Sequence, residues 1–187
     1  GSGWGFGGAV GVMVKPADFI SFGLSFRSET KVAFEGTAKN TFFRDNVSPD
    51  LYESDYSRDL SWPMWIAGGI ALKPIEKLTF VLDLQYSMWS ETQNEILTDY
   101  DNWPMMELED CTMHLKWNDA LQIRTGLQYE LSETTAIRLG YYHDPAPAPD
   151  KTLNICFPSN TYNAVTAGGG ISFGNFTVDA AAEYLFG

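Results

Sequence analysis

The 187-residue chain has no run of eighteen or more apolar residues, which excludes a transmembrane helix. A membrane barrel stays open, because its strands are about ten residues long and half polar. Basic residues are scarce: 12 lysines and arginines stand against 24 acids, a net charge of -12. With no basic stripe to neutralise phosphates, nucleic acid is excluded as a partner. Histidine occurs at His114 and His143 alone, neither in metal-ligand company, so neither a metal nor a cofactor is expected. No serine, histidine and acid set carries a recognisable local signature, which leaves a protease or lipase a weak reading and no enzyme the expected one. Nothing resembles a phosphate loop. A signal peptide and a starting methionine are both missing. Gly1-Ser2 reads either as a cloning scar or as the start of a glycine-rich strand, and the chain reads as a piece of a longer precursor.

What is present is alternation. Aromatics make up 14% of the chain and glycine occurs 17 times, a composition that fits β-structure. Between Ala120 and Asp144, the residues Leu121, Ile123, Thr125, Leu127, Tyr129 and Leu131 share one parity. Gln122, Arg124, Gly126, Gln128 and Glu130 share the other. After a polar break at Ser132-Glu133 the pattern restarts, with Ile137, Leu139 and Tyr141 set against Arg138, Gly140 and Tyr142. Side chains alternate across a strand, so this is a β-hairpin with one apolar and one polar face.

The same reading extends along the chain. Trp4 to Val14 is a strand with Trp4, Phe6, Val10, Val12 and Val14 on one side, and Gly5, Gly7 and Gly11 on the polar parity. Lys15 to Asp18 is a proline-set turn. A strand from Phe19 to about Gly36 follows, then a long irregular segment, Thr37 to Asp59. Leu60 to Leu72 and Leu78 to Met88 are strands joined by the short Lys73 to Lys77. A second long segment, Trp89 to Asp110, holds seven acids and no lysine or arginine. A long strand from Cys111 to Leu131 pairs with one ending near Asp144, and a third long loop spans Pro145 to Thr161. The strands Tyr162 to Phe173 and Phe176 to Phe186 are joined by Gly174-Asn175, a dipeptide suited to a two-residue hairpin turn.

Eight strands emerge, and their connections alternate strictly between short and long. Outer-membrane barrels have short periplasmic turns and long external loops, whereas lipocalin-like soluble barrels lack that rhythm. Trp62, Tyr86 and Trp89 lie near the long-loop ends, as an interfacial girdle would. The expected fold is therefore all-β, an antiparallel transmembrane barrel in the bacterial outer membrane, with lipid as its surroundings. If the long loops are external, both termini lie on the external side. The expectation is a single barrel segment over residues 1–187, lacking strands at both ends.

Three stretches also resemble a known family. GWGFGGAVGVMVKP, FGLSFRSETKVAFEGTA and RLGYYHDPAPAP are similar, in order and spacing, to the long-chain fatty-acid transporters of the FadL type, which include toluene-uptake porins. The residues that carry the likeness are Phe26-Arg27-Ser28-Glu29 with Phe34 and Gly36, and Gly140 with Asp144, Pro145 and Pro147. The resemblance covers the whole chain. It implies a fourteen-stranded barrel plugged by an N-terminal hatch, of which this chain supplies the sixth to thirteenth strands. The hatch, the early strands and the final strand would then be absent. It also implies passive uptake of long-chain fatty acids or other hydrophobic small molecules, without covalent chemistry, by a barrel that is monomeric when complete.

The polar-parity residues would face the lumen. Arg27, Arg124 and Arg138 are candidates for a carboxylate head group, and Trp65 and Tyr142 for the wall of a slot. Arg138 is the favoured single residue, with Arg124 expected nearby across the hairpin. The competing reading is an internal lattice of these cations with Asp83, Glu130, Asp179 and Glu183. Phe42, Phe43, Leu51, Tyr52 and Tyr56 enrich the first long loop in aromatics, and form either a landing groove for ligand or the loop's own core. Cys111 and Cys156 would both be external, and in an oxidising compartment a disulfide pinning the third loop is expected. Two other functions stay open: a general water-filled porin, and a structural or adhesin-like barrel with binding loops.

Overall fold

The computed structural model describes residues 1–39, 53–92, 94–101, 112–153, 155–157 and 159–187. Two antiparallel sheets account for the strands. The larger has eight, β2 (Ala9–Ala17), β3 (Ile20–Arg27), β6 (Trp65–Ile75), β7 (Leu78–Ser87), β10 (Ala120–Glu130), β11 (Thr135–Asp144), β12 (Tyr162–Phe173) and β13 (Phe176–Phe186). Each pairs with its neighbour in sequence, so the sheet is a plain meander with β2 and β13 at its edges. The smaller sheet runs in the order β1 (Ser2–Phe6), β4 (Thr30–Lys39), β5 (Glu53–Trp62), β8 (Glu95–Tyr100) and β9 (Thr112–His114). It extends the long-loop end of the first three staves.

Register turns the alternation into faces. One rung carries Ile70, Leu82, Thr125, Tyr141, Val165 and Tyr184, and the next carries Leu72, Phe80, Leu127, Leu139, Ala167 and Ala182. Within β10, β11 and β12, away from the turns, the polar residues on this face other than tyrosine are Thr125, His143 and Asn163. Each has a partner: Thr125 donates to the Val81 carbonyl at 3.1 Å, and Asn163 Oδ1 receives the Tyr141 hydroxyl at 2.8 Å and meets His143 Nδ1 at 3.0 Å. That satisfaction is what hydrocarbon demands, because an unpaired polar group there costs several kcal/mol.

The apolar face does not close on a core. Among the described residues the buried hydrophobic side chains are Ile96, Leu115 and Ala164, and Ala164 is the only one of these in the larger sheet. Leu139 is 59% exposed and Leu84 43%. A soluble barrel would have sealed these residues inside, so the lipocalin-like alternative falls. A face of large aliphatics left open on eight strands is the wall of a membrane barrel.

Five expectations need correction. The first strand breaks at Gly7-Gly8: Ala9 pairs with Arg27 but Phe6 with Lys31, so three residues, Ser28 to Thr30, face two glycines. A one-residue slip exchanges faces. Trp4 and Phe6 therefore share a face with Lys31 and Ala33, and Gly5 lies against Val32 instead of on the polar parity. Second, the segment from Thr37 to Asp59 is not irregular where described: β4 runs to Lys39 and β5 starts at Glu53, in register from Thr30–Trp62 to Lys39–Glu53. Third, the acidic segment holds a four-residue helix, α1 (Trp89–Thr92), and the strand β8. Fourth, the strand placed from Cys111 to Leu131 is interrupted at 115–119, where Lys116 takes a φ of 48°. Fifth, Pro16 lies inside β2 and the turn it was to set falls at 18–19, whereas the Gly174-Asn175 turn is as expected. Gly174 adopts a φ of 59° in the two-residue connection, which glycine permits at no steric cost.

Candidate functional site

The face opposite the aliphatics is built of rungs that run from the long-loop end to the short turns. Outermost are Arg27, Trp65, Ser87 and Ala120. Two rungs further in lie Gly23, Gly69, Asp83, Arg124, Tyr142 and Ala164, then Val81, Gly126, Gly140, Thr166 and Glu183. The next is Thr79, Gln128, Arg138, Gly168 and Ala181, with Asp179 and Gly170 beyond it. All five lumenal candidates stand on this one face. It mixes charge with glycine because inward side chains meet water and each other, not lipid.

Arg138 and Arg124 are not close. The Gly126–Gly140 pair separates their rungs, which puts them four residues apart along the ladder, roughly 13 Å. Each has its own partner. Arg138 donates to Asp179 Oδ1 at 2.5 Å and to Gln128 Oε1 at 2.8 Å, whereas Arg124 donates to Gln122. The Arg138–Asp179 pair is half exposed, with side chains 46% and 53% accessible. An ion pair of that exposure is worth at most about 1 kcal/mol.

Around Arg138 the sheet holds a cavity of about 500 Å³. Its wall is small and largely apolar, with Val81, Gly126, Gly140, Thr166, Gly168 and Ala181, and its polar end is Arg138, Asp179 and Gln128. The glycines are what leave it open. A Cβ at Gly140 would stand 2.5 Å from Thr166 Oγ1, and one at Gly168 would stand 2.8 Å from the Ala180 carbonyl. Sequence reading singled out Arg138 but missed Gln128 and Gly126. Their parity was visible, but their convergence needed the register.

A second cavity, about 320 Å³, opens nearer the long loops between Arg124, Gln122, Trp89, Asp144, Pro147 and Tyr162. Tyr142 and Trp65 line neither cavity. Trp89 is not a girdle residue. It leads α1 and meets Trp117 edge-on at 4.7 Å, and Trp117 in turn meets Phe157 at 6.1 Å. Asp119 clasps this corner, accepting from the Tyr86 hydroxyl at 2.6 Å, from Ser90 N–H at 2.9 Å and from the Ser90 hydroxyl at 2.7 Å. Those donors, Tyr86 foremost and then Ser90, hold the Asp119 carboxyl below its ordinary pKa.

On the external side, Tyr56 packs within the smaller sheet, 6.3 Å from Tyr100 and under the Arg58 guanidinium at 5.3 Å. Phe42, Phe43, Leu51 and Tyr52 lie outside the described residues, and so does Cys111. Cys156 is exposed, and the expected disulfide falls outside the described residues. The third loop is tied in other ways, through Trp117–Phe157 and a bond from the Thr152 hydroxyl to the Leu115 carbonyl at 2.5 Å.

Comparison with known proteins agrees with this architecture. The family model described as "Outer membrane protein transport protein (OMPP1/FadL/TodX)" matches residues 1–187. The long-chain fatty acid transport protein of Escherichia coli (strain K12) is 24% identical over 199 residues, covering 100% of this chain and 43% of its own length. That of Salmonella typhi is 25% identical over 199 residues, covering 100% and 44%. The chain thus spans less than half the length of these relatives. Among solved structures, a Pseudomonas aeruginosa FadL homologue aligns with a TM-score of 0.78 at 15% identity, over 95% of this chain and 43% of that one. The Pseudomonas putida toluene transporter TodX aligns at 0.67 and 16%, over 96% and 43%. At such identities the structural likeness establishes the fold. The eight-stranded sheet is part of the wall of an outer-membrane β-barrel, and the chain belongs to the outer membrane protein transport protein family (OMPP1/FadL/TodX).

Proposed function

We propose that the complete protein admits hydrophobic small molecules passively across the outer membrane, and that Arg138 receives the carboxylate of a fatty acid. The observation that carries this reading is the 500 Å³ cavity, apolar along its glycine column and polar at one end. Pockets for small ligands have that composition and size, about 300–1,000 Å³ with a few polar groups placed to orient the guest. The half-exposed ion pair matters here. Because Asp179 holds Arg138 by at most about 1 kcal/mol, an incoming carboxylate can take its place at little cost. A bidentate arginine–carboxylate pair would then fix the head group while the tail lies along Gly126 and Gly140. Arg27 and Trp65 at the outer rim, and Arg124 with Tyr142 one stage further in, are earlier contacts on the same path. Phe42, Phe43, Leu51 and Tyr52 would offer a landing surface ahead of them. Relatives named for fatty-acid transport and for toluene both support a hydrophobic cargo, and Arg138 favours the acid over the plain hydrocarbon.

The test is uptake by cells carrying the complete protein, wild type or Arg138→Gln, offered a radiolabelled fatty acid, the matching alcohol, an aromatic hydrocarbon and a sugar. The expected result is fatty-acid entry with a preference for the acid that the variant loses. If the variant keeps that preference, Arg138 only stiffens the lumen. Rapid sugar entry without hydrophobic uptake would instead identify a water-filled porin.

A further inference from the structure

The apolar wall has a dent at Gly68, on the side away from the lumen. Gly68 stands on the outward parity of β6, between Leu24 of β3 and Leu84 of β7. Around it Ile66, Ile70, Leu82, Leu84, Tyr86 and Leu121 frame an apolar groove of about 390 Å³. Nothing in the backbone requires glycine there. Among the described residues the only glycine with a positive φ is Gly174, and a Cβ at Gly68 would meet its nearest atoms at 3.8 and 3.9 Å, ordinary contact distances. Its neighbour differs: on the lumen side the Asp83 carboxylate occupies the space that a Gly69 side chain would need, so the wall is not perforated at this point. Of two consecutive glycines, one is filled from within and the other is open to the membrane.

We propose that this groove is a seat for one acyl chain of an outer-leaflet lipid. Its place in the wall selects the occupant. The groove spans the rungs from Ile70–Leu82 to Ile66–Tyr86, four residues of strand or about 13 Å, toward the long-loop end. With strands tilted near 45° in a core about 30 Å thick, that reaches from the middle of the bilayer most of the way to the external interface. Both flanking strand pairs are present, so the groove is complete within this chain. Tyr86 ends it, with its hydroxyl already given to Asp119 and only its ring left as wall. A charged or hydrogen-bonding guest finds no partner inside, whereas a hydrocarbon chain does. The attraction is not hydrophobic in origin, since lipid is as apolar as leucine; it is dispersion, recovered when a chain fills a void that would leave its lining without neighbours.

The experiment uses the complete protein in phosphatidylcholine vesicles doped with phosphatidylcholine that bears a diazirine midway along one acyl chain. After photolysis, labelling is mapped by peptide mass spectrometry in wild type, Gly68→Ala and Gly68→Leu. Carbene insertion depends on the side chain attacked, so each residue serves as its own reference across the three proteins. Filling the dent should lower labelling of Leu84 and Leu121 about threefold in Gly68→Leu, the ratio that roughly 0.6 kcal/mol of preference produces, and less in Gly68→Ala. Val165, on the rung of Leu82, and Val12, on the rung of Gly68, should keep their labelling in every variant, which also reports that the barrel is folded. If Gly68→Leu does not assemble, Gly68→Ala alone must show the smaller fall. Equal labelling of Leu84 and Leu121 in wild type and in every variant that folds would overturn the proposal.

Discussion

Arginine at three positions of β6 and β7 measures the solvent on each face of the wall. Leu82 stands at the centre of the apolar face, in the rung with Ile70 and Thr125. Leu78 is on the same strand and face, four residues nearer the short turn. Ala71 sits one residue from Ile70 on the opposite face, between Ser21 and Val81, with Asp83 diagonal to it. Arginine at the bilayer midplane of a barrel costs about 2–4 kcal/mol, and near the interface about 0–1 kcal/mol. Two residues advance along a tilted strand by roughly 5 Å of depth, so Leu78 lies about 10 Å from the midplane. Leu82→Arg should therefore lower the folding equilibrium about 30- to 700-fold, Leu78→Arg by less than about tenfold, and Ala71→Arg by as little. The assay is reversible urea unfolding of the complete barrel in lipid vesicles, followed by tryptophan fluorescence. Two results refute the reasoning. Equal penalties at Leu82 and Leu78 would mean that depth is irrelevant, and a larger penalty at Ala71 would mean that the faces are reversed.

Two further outcomes follow from the site. Asp119 has a folded-state pKa below its ordinary value, so its clasp contributes above pH about 4 and is lost as pH falls through the lowered value. Amide exchange over 89–92, corrected for intrinsic rates, should show protection falling away in that acidic window for wild type and no such step for Asp119→Asn; identical acid profiles for the two proteins would contradict the assignment. Gly168→Leu should fill the Arg138 cavity and reduce hydrophobic uptake, at a cost in stability because its Cβ would stand 2.8 Å from the Ala180 backbone carbonyl, which cannot swing aside. Undiminished uptake would show that cargo does not pass Arg138.

The sequence carried most of the wall and part of the site. Alternation is local information, and so the parity of Leu82 or Arg124 was legible without any partner. The turn at Gly174-Asn175 was legible for the same reason, since its chemistry lies within two residues. Register is non-local, and the misreading of the first strand lies there. Nothing in GWGFGGAV states that Gly7 and Gly8 will face three residues of another strand, yet that slip takes Trp4 and Phe6 off the face of Val32 and Phe34. The strand ends at Thr37–Lys39 and Glu53–Asp59 were hidden by their polarity. They are held by the ladder that β3 and β6 begin, with Lys39 paired to Glu53 at 2.6 Å at its far end, and not by burial of apolar surface. The site failed in the same way: Arg138 was visible, whereas Asp179, 41 residues on, became its partner only through the β11–β12–β13 register.

The glycines of this wall do different jobs, and the difference follows from which face each one occupies. Inward glycines sit beside polar side chains that need room. Gly69 yields its space to Asp83, and Gly170 yields its space to Asp179, whose carboxylate reaches Arg138. Gly140 and Gly168 are hemmed in by Thr166 and by the Ala180 backbone, so they set the depth of the cavity and cannot be enlarged without moving the strand. In water such positions would weaken a sheet, because glycine packs nothing and loses the most backbone entropy on folding. In a barrel wall the loss is offset by hydrogen bonds that have no competitor in hydrocarbon. The sheet can therefore spare side chains wherever a guest must pass or rest. Gly68 is the one glycine among these that faces lipid in open space, and by the same logic its vacancy belongs to a guest from the membrane.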